Sequence, residues 1–420
     1  MNILGLSGAV FHDASAALLV DGELVAAAEE ERFIRDKHAK GRHPLEAVRF
    51  CLDYANLKPT DIDAVAYPYD NIGLLSPARW HYARRHWYAP DRALQAIFNG
   101  NRRFRRNRRQ AMEMLQAAGF EPGTVNFCPV EHHLAHASSA YHLSGFREKT
   151  AIVGIDGKGA YAPTFFGYGA IGRIHKIRDF YDPDSLGGLY GALTEYLGFE
   201  MLDGEFKVMG MAPYGDPDKY DFSRLIQHGN GKFRVNNRLV NVVGLRRYKE
   251  NGKGYFFSPG LVEWLGPKRQ GDEIDDPYID YAASVQKQLE TVALELIDHH
   301  VGDIIRDTGK VCFAGGVALN VKLNQRIMAM PGLKELFVQP AASDAGTAIG
   351  AASCVAAQQG DTVRKLEHVY LGPSYTTEQC IAACKACEHY PVWEVIDNVA
   401  EHTARILADG NPVAWFQGRM

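Results

Sequence analysis

The sequence lacks any apolar run approaching the roughly 18 residues that a membrane-spanning helix needs, so no transmembrane helix is expected. It also lacks a dominant charge: 46 Lys and Arg stand against 50 Asp and Glu, for a formal net charge of −4. That balance argues against a dedicated nucleic-acid or membrane-surface protein, which would draw its affinity from a basic excess. Cysteine is scarce, seven in 420 residues. An odd number in mostly apolar contexts fits a reduced, cytoplasmic protein and not a disulfide framework. The opening stretch Met1–Leu6 has no basic segment and no cleavage site, and it reads as a buried strand. What is present is ordinary: 46% hydrophobic and 23% charged residues, in a chain long enough for two or three domains with separate cores.

The most informative stretch is Glu131-His132-His133-Leu134-Ala135-His136-Ala137. On a helix His132 and His136 fall one turn apart on the same face, where two imidazoles can grip one divalent ion. Small neighbours leave room for that ion, and His is the commonest nitrogen ligand for transition metals. Ordinary surface or core histidines are the alternative, and the segment alone does not choose. A second cluster reads differently. Cys380, Cys384 and Cys387 have a spacing that suits an iron–sulfur cluster, but i, i+4, i+7 is equally one buried face of a helix. Their alanine-rich context favours helix, so a core helix is expected.

The chain carries a duplication. Gly5-Leu6-Ser7-Gly8 ends one apolar strand, and Gly154-Ile155-Asp156-Gly157 ends another. The first is followed by Ala16–Val20, an Asp21-Gly22 turn and Glu23–Ala27; the second by Thr164–Gly169, a break at Ala170–Gly172 and Arg173–Ile177. Two strand–hairpin units predict two related α/β lobes, about 1–150 and 151–360. Helices are predicted at Pro44–Leu57, Gln110–Gly119 and Tyr281–Thr308. Strand Lys310–Ala314 then meets Gly315-Gly316, strand Glu335–Val338 leads to Asp344, and helix Thr347–Gln359 follows. A glycine pair after a strand lets a backbone approach a nucleotide closely, while Asp344 could simply cap its helix. A polar linker at Gly360–Lys365 precedes helix Thr376–Ala386, strand Pro391–Ile396, helix Asn398–Asp409 and strand Pro412–Phe416, the front of a second domain at 366–420.

Five motifs in order give a family resemblance: Phe11-His12-Asp13-Ala14-Ser15-Ala16-Ala17, Glu29-Glu30-Glu31-Arg32-Phe33, His132 to Ala137, Gly204-Glu205-Phe206-Lys207 through Gly215, and Gly315-Gly316-Val317-Ala318-Leu319-Asn320. On these the chain resembles the NodU/CmcH-type O-carbamoyltransferases, which include enzymes that tailor aminoglycoside and cephem antibiotics. The resemblance implies a duplicated α/β domain of the actin/Hsp70/sugar-kinase (ASKHA) class, similar to the tRNA threonylcarbamoyl-transfer subunit. It also implies a truncated start of a YrdC-like α/β domain. The implied reaction has two steps: carbamoyl phosphate and ATP form carbamoyl-adenylate with release of pyrophosphate, then the carbamoyl group passes to a hydroxyl and AMP leaves. Because most of the arginines for the first step would lie beyond Arg419, the resemblance implies that residues 1–420 bind nucleotide and metal without making carbamoyl-adenylate.

By the same resemblance His132, His136, Asp156 and Asp344 form a metal site, usually iron, and two imidazoles with two carboxylates suit a divalent ion with open positions. His133 is expected to pack beside it. Gly315, Gly316 and Asn320 match a nucleotide-binding loop. Lys158, Glu205 and Lys207 lie in matching loops that contact phosphate or ribose, with surface ion pairs as the alternative. His12, in the loop that carries the acceptor, is the expected general base, with Asp13 beside it. Lys37 and Arg419 resemble phosphate and carbamoyl-phosphate contacts. The expected partner is a small-molecule hydroxyl, a sugar or secondary metabolite. A tRNA-modifying enzyme or a nucleotide-binding regulatory module is the competing class. Strict dependence on tRNA would favour that class, whereas the His12-Asp13 loop favours the small molecule. The run Arg102–Arg109 invites a nucleic-acid reading, but the negative net charge favours a solvated helix face. Residues 70–110, with Trp80, His81 and Trp87, would line an acceptor pocket or a homodimer contact.

Overall fold

The apolar segment Asn2–Ser7 (β1) forms the middle strand of a five-stranded sheet, because its neighbours in sequence return as a hairpin. Ser15–Val20 (β2) and Glu23–Glu29 (β3) pair antiparallel to it in succession. Asp21 and Gly22 between them take φ of 49° and 76°, the double left-handed turn whose twist matches a hairpin. On the other side Ala64–Tyr67 (β4) and Phe127–Pro129 (β5) add in parallel, giving the order β3-β2-β1-β4-β5. Helices Leu45–Ala55 (α1) and Arg102–Ala117 (α2) cover this sheet with Val48, Leu52, Phe104 and Leu115. The arginine run lies within α2: Phe104, Asn107 and Ala111 face inward, and the arginines form the solvated side. These assignments come from a computed structural model that describes residues 1–8, 12–159, 161–271, 273–387 and 392–420.

After helix His132–Tyr141 (α3) the pattern repeats. Thr150–Ile155 (β6), Thr164–Ala170 (β7) and Arg173–Phe180 (β8) form the antiparallel trio, turning at Ile171-Gly172 with φ of 50° and 70°. Leu186–Tyr196 (α4) and the long Tyr278–Thr308 (α5) pack beneath. Lys310–Ala314 (β9) and Glu335–Val338 (β10) then extend the sheet in parallel, so its order is β8-β7-β6-β9-β10. Helix Thr347–Gln358 (α6) follows in sequence. The two lobes thus share one strand order, the duplicated α/β arrangement that the sequence predicts.

The lobes are interlocked through their last helices. α3 follows β5 of the first sheet but packs on β6 and β9 of the second, and α6 follows β10 but packs on β1, β2 and β4. α3 and α6 therefore cross between the sheets. Their backbones touch: a Cβ on Gly350 would stand 1.8 Å from the Ala135 carbonyl oxygen, so only glycine fits there.

Residues 1–366 form one compact unit and 367–420 another. The linker segment belongs to the first, since the Arg364 N–H donates to the Gly22 carbonyl and that of Leu366 to Leu143. In the second unit helices Thr377–Ala386 (α7) and Val399–Ala408 (α8) form; Thr376 and Gln379 make a reciprocal capping box at the start of α7. Two expectations fail here. Residues 392–396 and 412–416 form no strand, and Pro391 lies outside the described residues. With no sheet to receive it, α7 buries nothing: Cys380 and Cys384 are exposed and Cys387 is half-buried, so the cysteine face is not a core face. The α/β layering of a YrdC-like domain is accordingly absent from this unit's described residues. In neither unit do the described residues include a helix long and apolar enough to cross a membrane.

Candidate metal centre and its surroundings

His132 and His136 sit on the first turns of α3, one turn apart as their spacing requires. Asp156 follows β6, where the first sheet has Ser7, and Asp344 precedes α6. The crossing of α3 between the lobes brings all four together: one donor atom from each lies within 4.8 Å of the others, and all four residues are buried. His132 Nε2 is 3.5 Å from Asp344 Oδ1 and 3.7 Å from Asp156 Oδ2, and His136 Nε2 is 3.4 Å from Asp344 Oδ1. These are longer than hydrogen bonds. Both nitrogens of both rings and Asp156 Oδ2 are buried without a hydrogen-bond partner among the described residues. Buried polar atoms are rarely left so, and here one from each residue of the quartet gathers with the others, as the donors of a cation would.

The electrostatics agree. Burial would lower the His132 pKa, but the Asp344 and Asp156 carboxylates outweigh it and raise it to about 10. Burial would likewise raise Asp344, yet His132 and His136 hold it well below the usual carboxylate range. A cation would take over the role of the proton on His132.

The carboxylates are held from outside. Asp156 Oδ1 accepts the Gly316 N–H at 3.0 Å. Gly315 takes φ of 97°, and a Cβ on it would lie 2.3 Å from the Ile155 carbonyl oxygen, so the glycine pair is required to bring this backbone to the aspartate. Asp344 does not cap its helix with its carboxylate. Its carbonyl accepts from Ser7 Oγ and Thr347 Oγ1, which leaves the carboxylate turned to the histidines. The Tyr69 ring stacks on His132 at 4.8 Å, and its hydroxyl reaches Asp344 Oδ2 at 3.5 Å. His133 is buried edge-on against His132 and is not one of the four.

A second constellation adjoins the first. His12 Nδ1 meets Asp13 Oδ2 at 2.9 Å; Asp13 Oδ1 meets His38 Nδ1 at 2.6 Å; and His38 Nε2 meets Asp203 Oδ1 at 2.9 Å. Asp13 is held at φ of 58° while its N–H donates to the His38 carbonyl. Burial would lower His12, but Asp13, together with the charges of Asp344 and Asp156, raises it. Phe11 of the same motif lies outside the described residues.

The remaining candidates are placed as follows. Lys37 is exposed and ion-paired with Asp203. Asn320 is buried, exchanges hydrogen bonds with Gln286 and caps the following helix through Leu323 N–H. Lys158 lays its ammonium 4.1 Å from the Phe256 ring centre. Glu205 Oε1 accepts the Leu202 N–H, and exposed Lys207 lies over Phe199 and Phe206. In the second unit, Arg419 donates to the Leu371 and Gly372 carbonyls. Tyr69, His38 and Asp203 were not anticipated. His38 adjoins a named lysine and Asp203 adjoins a named motif, but Tyr69 has no local signal at all.

A chain of this fold with a buried His2Asp2 quartet is matched over residues 2–353 by the carbamoyltransferase N-terminus family, and it belongs to that family. Nodulation protein NolNO of Sinorhizobium fredii is 32% identical over the whole chain, which spans 57% of that protein. An uncharacterised Synechocystis protein, sll1178, is 34% identical, again over the whole chain and 68% of its own length. Nodulation protein NolO of Bradyrhizobium diazoefficiens is 33% identical over 69% of this chain and 50% of its own. Among solved structures, HypF of T. kodakarensis overlaps 86% of this chain and 49% of its own at a TM-score of 0.42 and 14% identity. Component A of the Acidaminococcus fermentans 2-hydroxyglutaryl-CoA dehydratase overlaps 86% of this chain and 98% of its own, also at 0.42, with 12% identity. The fold assignment rests on the strand order, not on these overlaps.

Proposed function

We propose that this chain is the carbamoyl-transfer part of an ATP- and carbamoyl-phosphate-dependent O-carbamoyltransferase that acts on a hydroxyl of a small molecule. The observation that carries the proposal is the four-donor buried quartet set beside the His12–Asp13 pair, in a chain of the carbamoyltransferase family. His132, His136, Asp156 and Asp344 would hold a divalent ion, iron by family resemblance. Bound there, it would offset negative charge on the leaving phosphate.

The chain's own residues supply proton handling. Asp13 accepts from His12 Nδ1–H, which leaves the Nε2 lone pair for a substrate hydroxyl. The acceptor oxygen attacks the carbamoyl carbon as its proton passes to His12 Nε2. The carbon–oxygen bond to the adenylate phosphate breaks, and AMP departs with that electron pair. His38 and Asp203 fix Asp13 and keep the imidazole oriented. Gly315, Gly316, Lys158, Glu205 and Lys207 are the proposed nucleotide contacts, and Lys37 and Arg419 the phosphate contacts. Asn320 would serve by shaping the loop, since Gln286 and Leu323 already engage its amide.

The test is release of AMP and pyrophosphate by the full-length protein given carbamoyl phosphate, ATP and a panel of alcohols. AMP release that depends on an alcohol supports the proposal; strict dependence on tRNA overturns it.

A further inference from the structure

Two adjoining cavities, about 330 and 500 Å³, open on the first unit between residues 81–87 and the strand pair at 226–235. They share Arg85 and Arg234. Arg84 lines one, and Arg224 and Arg238 line the other. Five arginines therefore line the two cavities, where the only lining carboxylate among the described residues is Asp184. That carboxylate is already committed: it accepts from Arg85 at 2.7 Å and from the Val235 N–H at 2.9 Å, and it lies 3.0 Å from His81 Nε2. Arg84, Arg234 and Arg238 are exposed and have no ion pair among the described residues, while Arg224 lies 4.9 Å from the Trp264 ring centre.

Arg85 is the unusual member. It is only 8% exposed, and its Nη2 is satisfied by Asp184 and the Val235 carbonyl, yet its Nε is buried without a partner. Every cation of the cluster is arginine, whose planar fork binds oxyanions in bidentate fashion where lysine offers a point charge. Trp87, 69% exposed, provides an apolar wall.

We infer that this arginine pocket binds a small molecule bearing at least two oxyanion charges, with Arg85 and Arg234 at its centre and an uncharged face against Trp87. The inference is independent of the carbamoyl-transfer reading and uses no residue of the quartet, the His12–Asp13 pair or the proposed nucleotide and phosphate contacts. The pocket does adjoin that site's scaffold: Ser185, next to Asp184, donates through Oγ to the Gly157 carbonyl of the loop that carries Asp156.

Isothermal titration of the 420-residue chain with inorganic pyrophosphate and, separately, citrate tests the site and separates phosphoryl from carboxylate ligands. Saturable binding of either is expected. The double variant Arg234→Ser with Arg238→Ser, both exposed and so tolerant of change, should weaken it by about ten-fold or more, the cost of losing charge-assisted hydrogen bonds. Arg105→Ser with Arg109→Ser on α2 removes equal charge elsewhere and should leave it unchanged. Absence of saturable binding by either probe overturns the inference, as does an equal loss in both double variants, which would mark general attraction to a basic surface.

Discussion

Ser7 and Asp156 stand at the ends of the central strands of two sheets with the same order, but only one of them is a member of the buried quartet. The second lobe places a carboxylate at this point and turns it to His132. The first places a hydroxyl there, which donates to the Asp344 carbonyl at 2.9 Å and so holds the opposing ligand's backbone. The helices differ in the same way. α3 carries two imidazoles on its first turns, whereas α6 contributes nothing from its body and one carboxylate from the turn before it. Duplication supplied two equivalent frames, and the centre arises where their equivalence is broken. The exchange of α3 and α6 between sheets then places all the broken positions at one crossing.

The largest test of this asymmetry removes its imidazoles. His132→Ala with His136→Ala should abolish binding of a divalent ion, a loss beyond the 10–100-fold typical of outer ligand partners, read by metal analysis after dialysis and by titration with ferrous ion under anaerobic conditions. Retained stoichiometric metal would end the case for the centre. Next comes the crossing itself. Gly350→Ala puts a methyl 1.8 Å from the Ala135 carbonyl oxygen, so the helices must part. A loss of about 1–3 kcal/mol, the range for overpacking, is expected from urea unfolding. An unchanged midpoint would show that the interlock is slack.

Acid should distinguish the lobes. In the first, burial lowers His43 and His86 to about 4 each. The unfolded value lies near 6.5, so as pH falls the unfolded chain binds protons first. The stability from keeping these rings neutral is intact above about pH 6.5 and is lost as pH falls toward 4, at about 1–2 kcal/mol per ring by pH 5. His43→Gln should flatten the pH dependence of stability by that amount. Hydrogen exchange at pH 5 should show the first sheet opening before the second; simultaneous opening would contradict the distinction.

The lobes and the histidine pair were legible because each leaves a short-range trace: a glycine-flanked polar residue after an apolar strand, or histidines at helical spacing. The strands Lys310–Ala314 and Glu335–Val338 could be bounded to the residue for this reason. Asp156 and Asp344, by contrast, joined the histidines as candidate ligands only through the family resemblance. Periodicity says which face of a helix is apolar, not whether a partner covers it, and so Cys380 and Cys384 were misplaced. Tyr69, His38 and Asp203 reach the site from loops far apart in sequence, and only the fold brings them together. The glycine pair was read for its openness to a nucleotide, but its N–H also holds Asp156.

The smallest effect is the most specific to the comparison. Ser7→Ala removes one hydroxyl that donates to the Asp344 carbonyl and lies 2.9 Å from Thr347 Oγ1. Thr347 still reaches the same carbonyl at 2.6 Å, so the turn survives and stability should fall by only about 1 kcal/mol. Metal affinity should fall by about ten-fold, because an outer partner orients a ligand without touching the ion. If Ser7 were merely a buried polar residue at a strand end, the variant would lose stability and keep its affinity. Parallel measurements of urea midpoint and ferrous-ion affinity separate these cases. Affinity lost out of proportion to stability would mean that the first lobe's strand end, though not itself a donor, still serves the centre that its counterpart ligates.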